Sequence, residues 1–362
     1  MWLLGRTAAL RCLQAGGRQR PPRRLSSSGP PWRLLFFGSD HFAVESLKLL
    51  SSNRSSSGGV VESLEVVALP GDVPVKRFAL QNQLPVHSWP PHSVEGQFDV
   101  GVVVSFGCLL PEKLINKFPH GILNVHPSLL PRWRGPAPIF HTILHGDSVT
   151  GVSIIQIRPH RFDVGPILQQ ELHQVPEGCT ADQLEAALST KGAHLLVDTL
   201  MTLSERIAQK KEQSRTGGTF APKINTSMSW VEWEEQTCDQ INRLYRAIGC
   251  RTPLRTTWMG RTIKLLDFVG RCHISLLDER SRVAHGSVSY QKESDTLAVC
   301  CKDGWVGFRS VVLKKRLTAG DFYNGYLHQT LHRKSECDIT KGLFVSRKHG
   351  GEAKDLRENS TS

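Results

Sequence analysis

"GILNVHPSLLPRWRGPAP", residues 121–138, decides the fold. Ile122, Leu123 and Val125 form the short branched-apolar run of a buried strand. Prolines 127 and 131 and glycine 135 then turn the chain through a basic loop, Arg132–Trp133–Arg134. Asn124 and His126 are two residues apart and so point to the same face of that strand.

Working outward, four more runs have the same character: "RLLFF" (33–37), "LEVVAL" (64–69), "DVGVVVS" (99–105) and "GVSIIQI" (151–157). Several are apolar on both faces, which suits a sheet covered on both sides. Helical patterns lie between them at 41–51, 72–83, 111–117 and 136–146, where Pro136 can start the helix, and a long one covers about 180–207. The alternation predicts a Rossmann-like α/β domain with a mainly parallel sheet over residues 32–212. Its ligand site is expected at the carboxyl ends of the strands.

Residues 213–222, "QSRTGGTFAP", have a linker's composition. Beyond them, Ile241, Leu244, Tyr245 and Ile248 follow helical spacing, with Gly249 as a stop. Short runs such as "TLAVCC" and "WVGFRSVVLKK", broken by glycine or polar residues, predict a small β-barrel within 223–330. Residues 331–362 are polar and are expected to lack fixed structure.

The net charge of +12 is unevenly placed. Half of it comes from Arg6, Arg11, Arg18, Arg20, Arg23 and Arg24, in a segment with no acid before Asp40. Such an Arg-rich, Ser-containing start over 1–31 is the pattern of a mitochondrial presequence, which points to the matrix; a basic nucleic-acid arm is the alternative. The remaining charge favours a polyanionic partner without proving one. The nine cysteines are scattered with no Cys-x-x-Cys pair, which argues against a disulfide scaffold and a thiolate zinc site. No apolar run approaches the roughly 20 residues that span a bilayer. No obligate protein partner is evident.

Two glycine turns, "FFGSDHFA" (36–43) and "VSFGCLLPEKL" (104–114), would face the same crevice. The first has Gly38 but no G-x-G-x-x-G, so a nicotinamide cofactor is unsupported. An amide and an imidazole side by side at Asn124 and His126 suit a developing oxyanion or a proton in transit. The bland account is a hydrogen-bonded pair at a strand end. Asp163, in the turn of "RPHRFDVGPIL" (158–168), tips the balance, because a carboxylate there can orient the imidazole. His141, His145 and Asp147 fall on or just past a helix and read as solvated rather than as a metal site.

The Asn-x-His and Ser-Leu-Leu-Pro-x-aromatic-Arg-Gly pattern of 121–138 resembles the folate-dependent formyltransferases. "SFGCLLP" (105–111) and "RFDVGPIL" (161–168) resemble two further elements of that family. "TFAPKINTSMSWVEW" and "DGWVGFRSVVLKKRLTAGDFYNGY" resemble the extra domain of its members that act on methionyl-tRNA, so the barrel is expected to be OB-like and to bind tRNA. The resemblance covers about residues 32–326. It implies transfer of a formyl group from 10-formyltetrahydrofolate to the α-amine of initiator methionyl-tRNA, for mitochondrial translation initiation, with no metal.

By the same resemblance Asn124, His126 and Asp163 are catalytic. Phe106, Gly107, Leu109, Leu110 and Pro111, with Ser128, Leu129, Leu130 and Pro131, contact the folate. Arg132, Trp133 and Arg134, nearest the reaction centre, and Lys314, Lys315 and Arg316 of the second domain are expected, from their charge on both sides of the proposed cleft, to contact tRNA. One departure is the segment 68–79, where bacterial members carry a long basic insertion and this chain has only Lys76 and Arg77. Pro166 also stands where an acid is common. A small-molecule formyltransferase of the glycinamide ribonucleotide or amino-sugar type and a non-catalytic RNA-binding module stay open as alternatives.

Overall fold

A computed structural model describes residues 28–56, 58–91, 97–274, 283–328 and 342–347. The proposed presequence lies outside them except for residues 28–31, as does most of 331–362.

The apolar runs form β1 (Trp32–Gly38), β2 (Val61–Ala68), β3 (Val86–Ser88), β4 (Val100–Val104), β5 (Ile122–His126), β6 (Val149–Gln156) and β7 (Ile167–Gln174). They make one sheet in the order β3-β2-β1-β4-β5-β6-β7. The first five strands are parallel, and β6 alone is reversed, pairing antiparallel with both β5 and β7. The sheet is therefore mainly parallel, as expected.

Helices α1 (His41–Ser55), α2 (Pro74–Gln81), α3 (Glu112–Ile115), α4 (Pro138–His145), α5 (Ala181–Met201) and α6 (Leu203–Ala208) fill the intervals. Pro138, not Pro136, opens α4, and the long helix expected over 180–207 is two, broken at Thr202. A capping box between Thr180 and Gln183 starts α5. At Gly192 of α5 a Cβ would stand 2.8 Å from Val125 of β5, so only glycine lets helix and strand approach this closely. Because Val125 faces α5, its neighbours Asn124 and His126 face the other side of the sheet.

The second unit begins with α7 (Cys238–Leu244), whose last turn widens into a π-helix at Tyr245–Gly249. Strands β8 (Leu254–Trp258), β9 (Arg261–Cys272), β10 (Val288–Gln291), β11 (Thr296–Cys301) and β12 (Gly304–Val312) form an antiparallel sheet in the order β10-β11-β12-β9-β8, with β13 (Arg316–Thr318) on β12.

Here the expectation of an unstructured tail needs correcting for residues 342–347. Val345 exchanges backbone hydrogen bonds with Thr257 of β8, and Phe344 N donates to Gly286 O just before β10. The segment thus joins the two edges of the sheet. Phe344 is buried beside Trp233 and Phe322, which supplies the apolar anchor that a polar composition conceals.

The linker is not a loose tether either. Arg134 N donates to Thr219 O and Ala221 N to Arg134 O, at 2.9 and 2.7 Å, so residues 219–221 run along the basic loop of the first domain. Arg251 completes the junction through Asp182, at 2.7 Å, and Glu185 on α5.

Candidate active site

Asn124 and His126 sit where the strand pattern puts them, at the carboxyl end of β5. Asp163 arrives from the opposite end of the sheet, on the 157–166 loop between β6 and β7, which folds back over β5. Asn124 Nδ2 donates to Asp163 Oδ1 at 3.1 Å, and Gly135 N donates to Oδ2 at 2.9 Å. His126 Nδ1 lies 3.6 Å from Oδ1. Three groups from β5 and the loop that follows it therefore converge on one carboxylate brought in from a distant loop.

His126 is 5% exposed, and its Nε2 lies 2.9 Å from Trp133 O. A carbonyl only accepts, so in this arrangement Nε2 carries a hydrogen. Asn124 has two amide hydrogens and spends one on Asp163.

Backbone strain gathers here. Ser105, Trp133 and Asp163 have φ of +45°, +60° and +54°, in the left-handed region that non-glycine residues rarely adopt. Asp163 is held there by Gln213, whose Nε2 donates to Asp163 O and Gly165 O, both at 2.8 Å. The Gln213 oxygen accepts from Arg134 Nε and Nη2, at 2.9 and 2.7 Å. A glutamine in a polar linker carries no sequence signal of this function, and only the fold reveals it.

The residues expected to contact folate divide by exposure. Gly107, Leu109 and Pro111 present the outer face of their turn, whereas Phe106 and Leu110 anchor it in the core, with Phe106 against Phe37 and Trp89. In the other turn, Leu129 and Pro131 are half-buried, but Ser128 and Leu130 are buried. Ser128 Oγ donates to Arg132 O, and the turn is fastened to β6 by Ser153, which donates to Ser128 O and accepts from Leu130 N. The buried side chains of Phe106, Leu110, Ser128 and Leu130 hold the two turns in place.

In the basic loop two of the three side chains have an internal partner in Asp147. Arg132 is committed to Asp147 through two hydrogen bonds of 2.8 and 2.6 Å. Trp133 is 5% exposed and donates its indole hydrogen to Asp147 at 2.7 Å, so it is closed to stacking by a nucleobase. Burial pushes the Asp147 carboxyl up, but the hydrogen bonds from Arg132 and Trp133 and the guanidinium charge outweigh it and hold it below the usual carboxylate range.

His141, expected to be solvated, is buried with Nε2 3.0 Å from Pro222 O, and burial lowers its pKa. In the second domain Arg316 pairs with Asp267 at 2.6 Å, while Lys314 and Lys315 are exposed. At segment 68–79, Arg77 pairs with Asp72 and Lys76 reaches Gly71 O.

One cluster escaped the sequence because its members are 63 residues apart. Cys238 and Cys301 have sulfurs 3.4 Å apart, and Asp303 completes a group whose ligand atoms lie within 4.8 Å of one another.

Comparison with known proteins fits this geometry. The Formyl transferase family pattern matches residues 92–200, and that of the Formyl transferase C-terminal domain matches 223–327. The chain is 55% identical to the mitochondrial methionyl-tRNA formyltransferase of Homo sapiens over 87% of this chain and 83% of that one. It is 30% identical to the methionyl-tRNA formyltransferase of Magnetococcus marinus, over 82% and 96%. Among solved structures it shares its fold with WlaRD, a sugar 3N-formyl transferase crystallised in the presence of dTDP and 5-N-formyl-THF. There the TM-score is 0.56 at 16% identity, over 80% of this chain and 99% of that one.

Proposed function

The chain belongs to the methionyl-tRNA formyltransferases, and we propose that Asn124, His126 and Asp163 carry the formyl transfer. It is a formyltransferase that acts on methionyl-tRNA with a folate-derived formyl donor, and its relatives' names point to the mitochondrion. In the finer reading the donor is 10-formyltetrahydrofolate, the compartment is the matrix, the presequence spans 1–31, and the domains are 32–212 and 223–330. The second sheet, joined at its edges by residues 342–347, is read as an OB-like barrel.

The neutral α-amine attacks the formyl carbon, whose oxygen becomes an anion. The carbon–N10 bond then breaks, and the amine's proton passes to N10. The balance requires no metal and no redox partner. Asn124 gives its second amide hydrogen to the oxyanion. His126 serves it by exchanging the Trp133 carbonyl for the same oxygen. Asp163 fixes both donors and, directly or through water, relays the proton. The donor lies along Gly107, Leu109 and Pro111, the exposed face of the neighbouring turn.

The observation that carries this reading is the convergence of Asn124 and His126 on the Asp163 carboxylate. The test is transfer of labelled formyl from 10-formyltetrahydrofolate to methionyl-tRNA, with free methionine as control. Asn124→Ala should lower kcat by about 100- to 1000-fold, the usual cost of one oxyanion donor, while tRNA binding is retained. Preference for glycinamide ribonucleotide or an amino sugar over methionyl-tRNA would overturn the acceptor assignment. Undiminished transfer by Asn124→Ala would overturn the site.

A further inference from the structure

A pocket of about 690 Å³ is lined in part by the loop that carries Asp163, through Arg158, Pro159, Arg161 and Val164. Its walls include Arg134, Arg158, Arg161 and Arg215, against one acid, Glu212, so its net charge is strongly positive. Arg134 is bound to Gln213, and Arg158 pairs with Glu212 at 2.6 Å with both side chains more than half exposed. Arg161 and Arg215 are exposed and have no ion-pair partner among the described residues. Two guanidiniums thus face an open cavity uncompensated, in a region where carboxylates are otherwise used to pair arginines.

Phe162 stands between Arg161 and Asp163 and is 58% exposed. An aromatic ring left in solvent beside unpaired arginines is the combination that binds unpaired nucleic acid, with phosphates on the guanidiniums and a base on the ring. The pocket is also fixed relative to the chemistry. Gln213, which lines it, holds the Asp163 and Gly165 carbonyls, and Arg134, which lines it too, precedes the glycine whose N–H binds the Asp163 carboxylate.

We propose that this pocket binds the single-stranded 3′ end of the acceptor tRNA, with Arg161 and Arg215 on terminal phosphates and Phe162 under a base. The inference rests on the methionyl-tRNA reading above and adds the subsite. Held there, the polynucleotide runs beside the loop bearing Asp163, and its esterified amino acid is delivered to the reaction centre. The donor's glutamate carboxylates are the other anions that chemistry would admit. They need no exposed ring, and the ring favours RNA.

The experiment compares wild type, an Arg161→Gln/Arg215→Gln double variant and Phe162→Ala in steady-state formylation. It varies methionyl-tRNA, salt, and mono- or polyglutamylated 10-formyltetrahydrofolate. All three side chains are exposed, so folding should survive. The double variant should raise KM for methionyl-tRNA about tenfold, with a much smaller change in kcat. The dependence of log KM on log salt should become shallower by about one to two units, as expected for one or two lost phosphate contacts. Phe162→Ala should raise the same KM without altering that slope.

Unchanged methionyl-tRNA KM and slope in the double variant would overturn the proposal. So would a rise confined to the donor's KM that grows with its glutamate tail. If wild type fails to formylate methionyl-tRNA at all, the functional reading falls first. Filter binding of uncharged tRNA to wild type and double variant then decides the pocket separately, since equal affinities would overturn it.

Discussion

Arg132 gives one edge of its guanidinium, Nε and Nη2, to Asp147, whereas Arg161 and Arg215, in the pocket beside the Asp163 loop, give theirs to no carboxylate among the described residues. Both regions are basic loops beside the same carboxylate, and both hold an aromatic residue. In one, Trp133 is 5% exposed and bound to Asp147; in the other, Phe162 is 58% exposed. The first has used its charge to build the site wall, and the second has kept it available. Charge on a surface loop becomes a binding argument only after its internal partners have been counted.

Two carboxylates sharpen that contrast most. Asp163→Asn should lower kcat by at least about 100-fold, with a stability loss of about 1 kcal/mol for the one of its two accepted hydrogen bonds that an amide cannot keep, because the amide cannot relay a proton. Asp147→Ala should do the reverse. It leaves the Trp133 indole and the Arg132 guanidinium without their acceptor, at a cost of about 1–3 kcal/mol, visible as a fall of several degrees in Tm.

The pH dependence follows by sign. Asp147 is held below its unfolded value, so its stabilisation is present above the ordinary carboxylate range and is lost as pH falls through its folded value. Asp147→Asn should flatten that acid limb of the Tm profile. If Asp163→Asn melted the protein and Asp147→Ala left Tm unchanged, the division into wall and working loop would be wrong.

Gln213→Ala comes next. It removes the two bonds that hold the Asp163 loop and the acceptor for Arg134. Loss of about 1–2 kcal/mol of positioning corresponds to roughly a tenfold fall in kcat. Gln213→Glu keeps the Arg134 contact but cannot donate to the Asp163 carbonyl. It should therefore keep Arg134 in place without restoring kcat, which separates the hold on the Asp163 loop from the contact to Arg134.

A smaller effect is expected in the second domain, where the same contrast recurs between neighbours. Lys314 and Lys315 are exposed, but Arg316 pairs with Asp267. Lys314→Ala/Lys315→Ala should weaken tRNA binding a few-fold and make its salt dependence shallower by up to about two units. Arg316→Ala should change stability by less than about 1 kcal/mol, as an exposed pair does, with little effect on that slope.

Periodicity made the strands legible, because β4, β5 and β6 are covered on both faces and must be apolar throughout. The i, i+2 spacing put Asn124 and His126 on one face, and the Asp163 turn was recognisable from its resemblance to the family. Partners distant in sequence left no such trace. The Arg132–Asp147 pair, the hold of Gln213 on Asp163 and the edge-joining segment around Phe344 depend on where the backbone returns. Phe344 was hidden for a further reason: the apolar run Leu343–Phe344–Val345 is too short to stand out in a polar tail, yet it is enough to dock the segment when a pocket already exists.

The least perturbing test concerns sulfur. Cys238 is buried against Cys301 and Asp303, and its thiol is pushed up to about 12, first by burial and then by hydrogen bonds and charge from those neighbours. Cys250, twelve residues on, is exposed. Alkylation requires the thiolate, and at pH 8 only roughly one Cys238 in ten thousand would be ionised. Mass spectrometry after brief iodoacetamide treatment should find Cys250 modified and Cys238 intact, with formylation unchanged. Rapid labelling of Cys238 in the folded protein would mean that this group is open to solvent. The distinction between committed and available side chains would then fail where burial alone had made it.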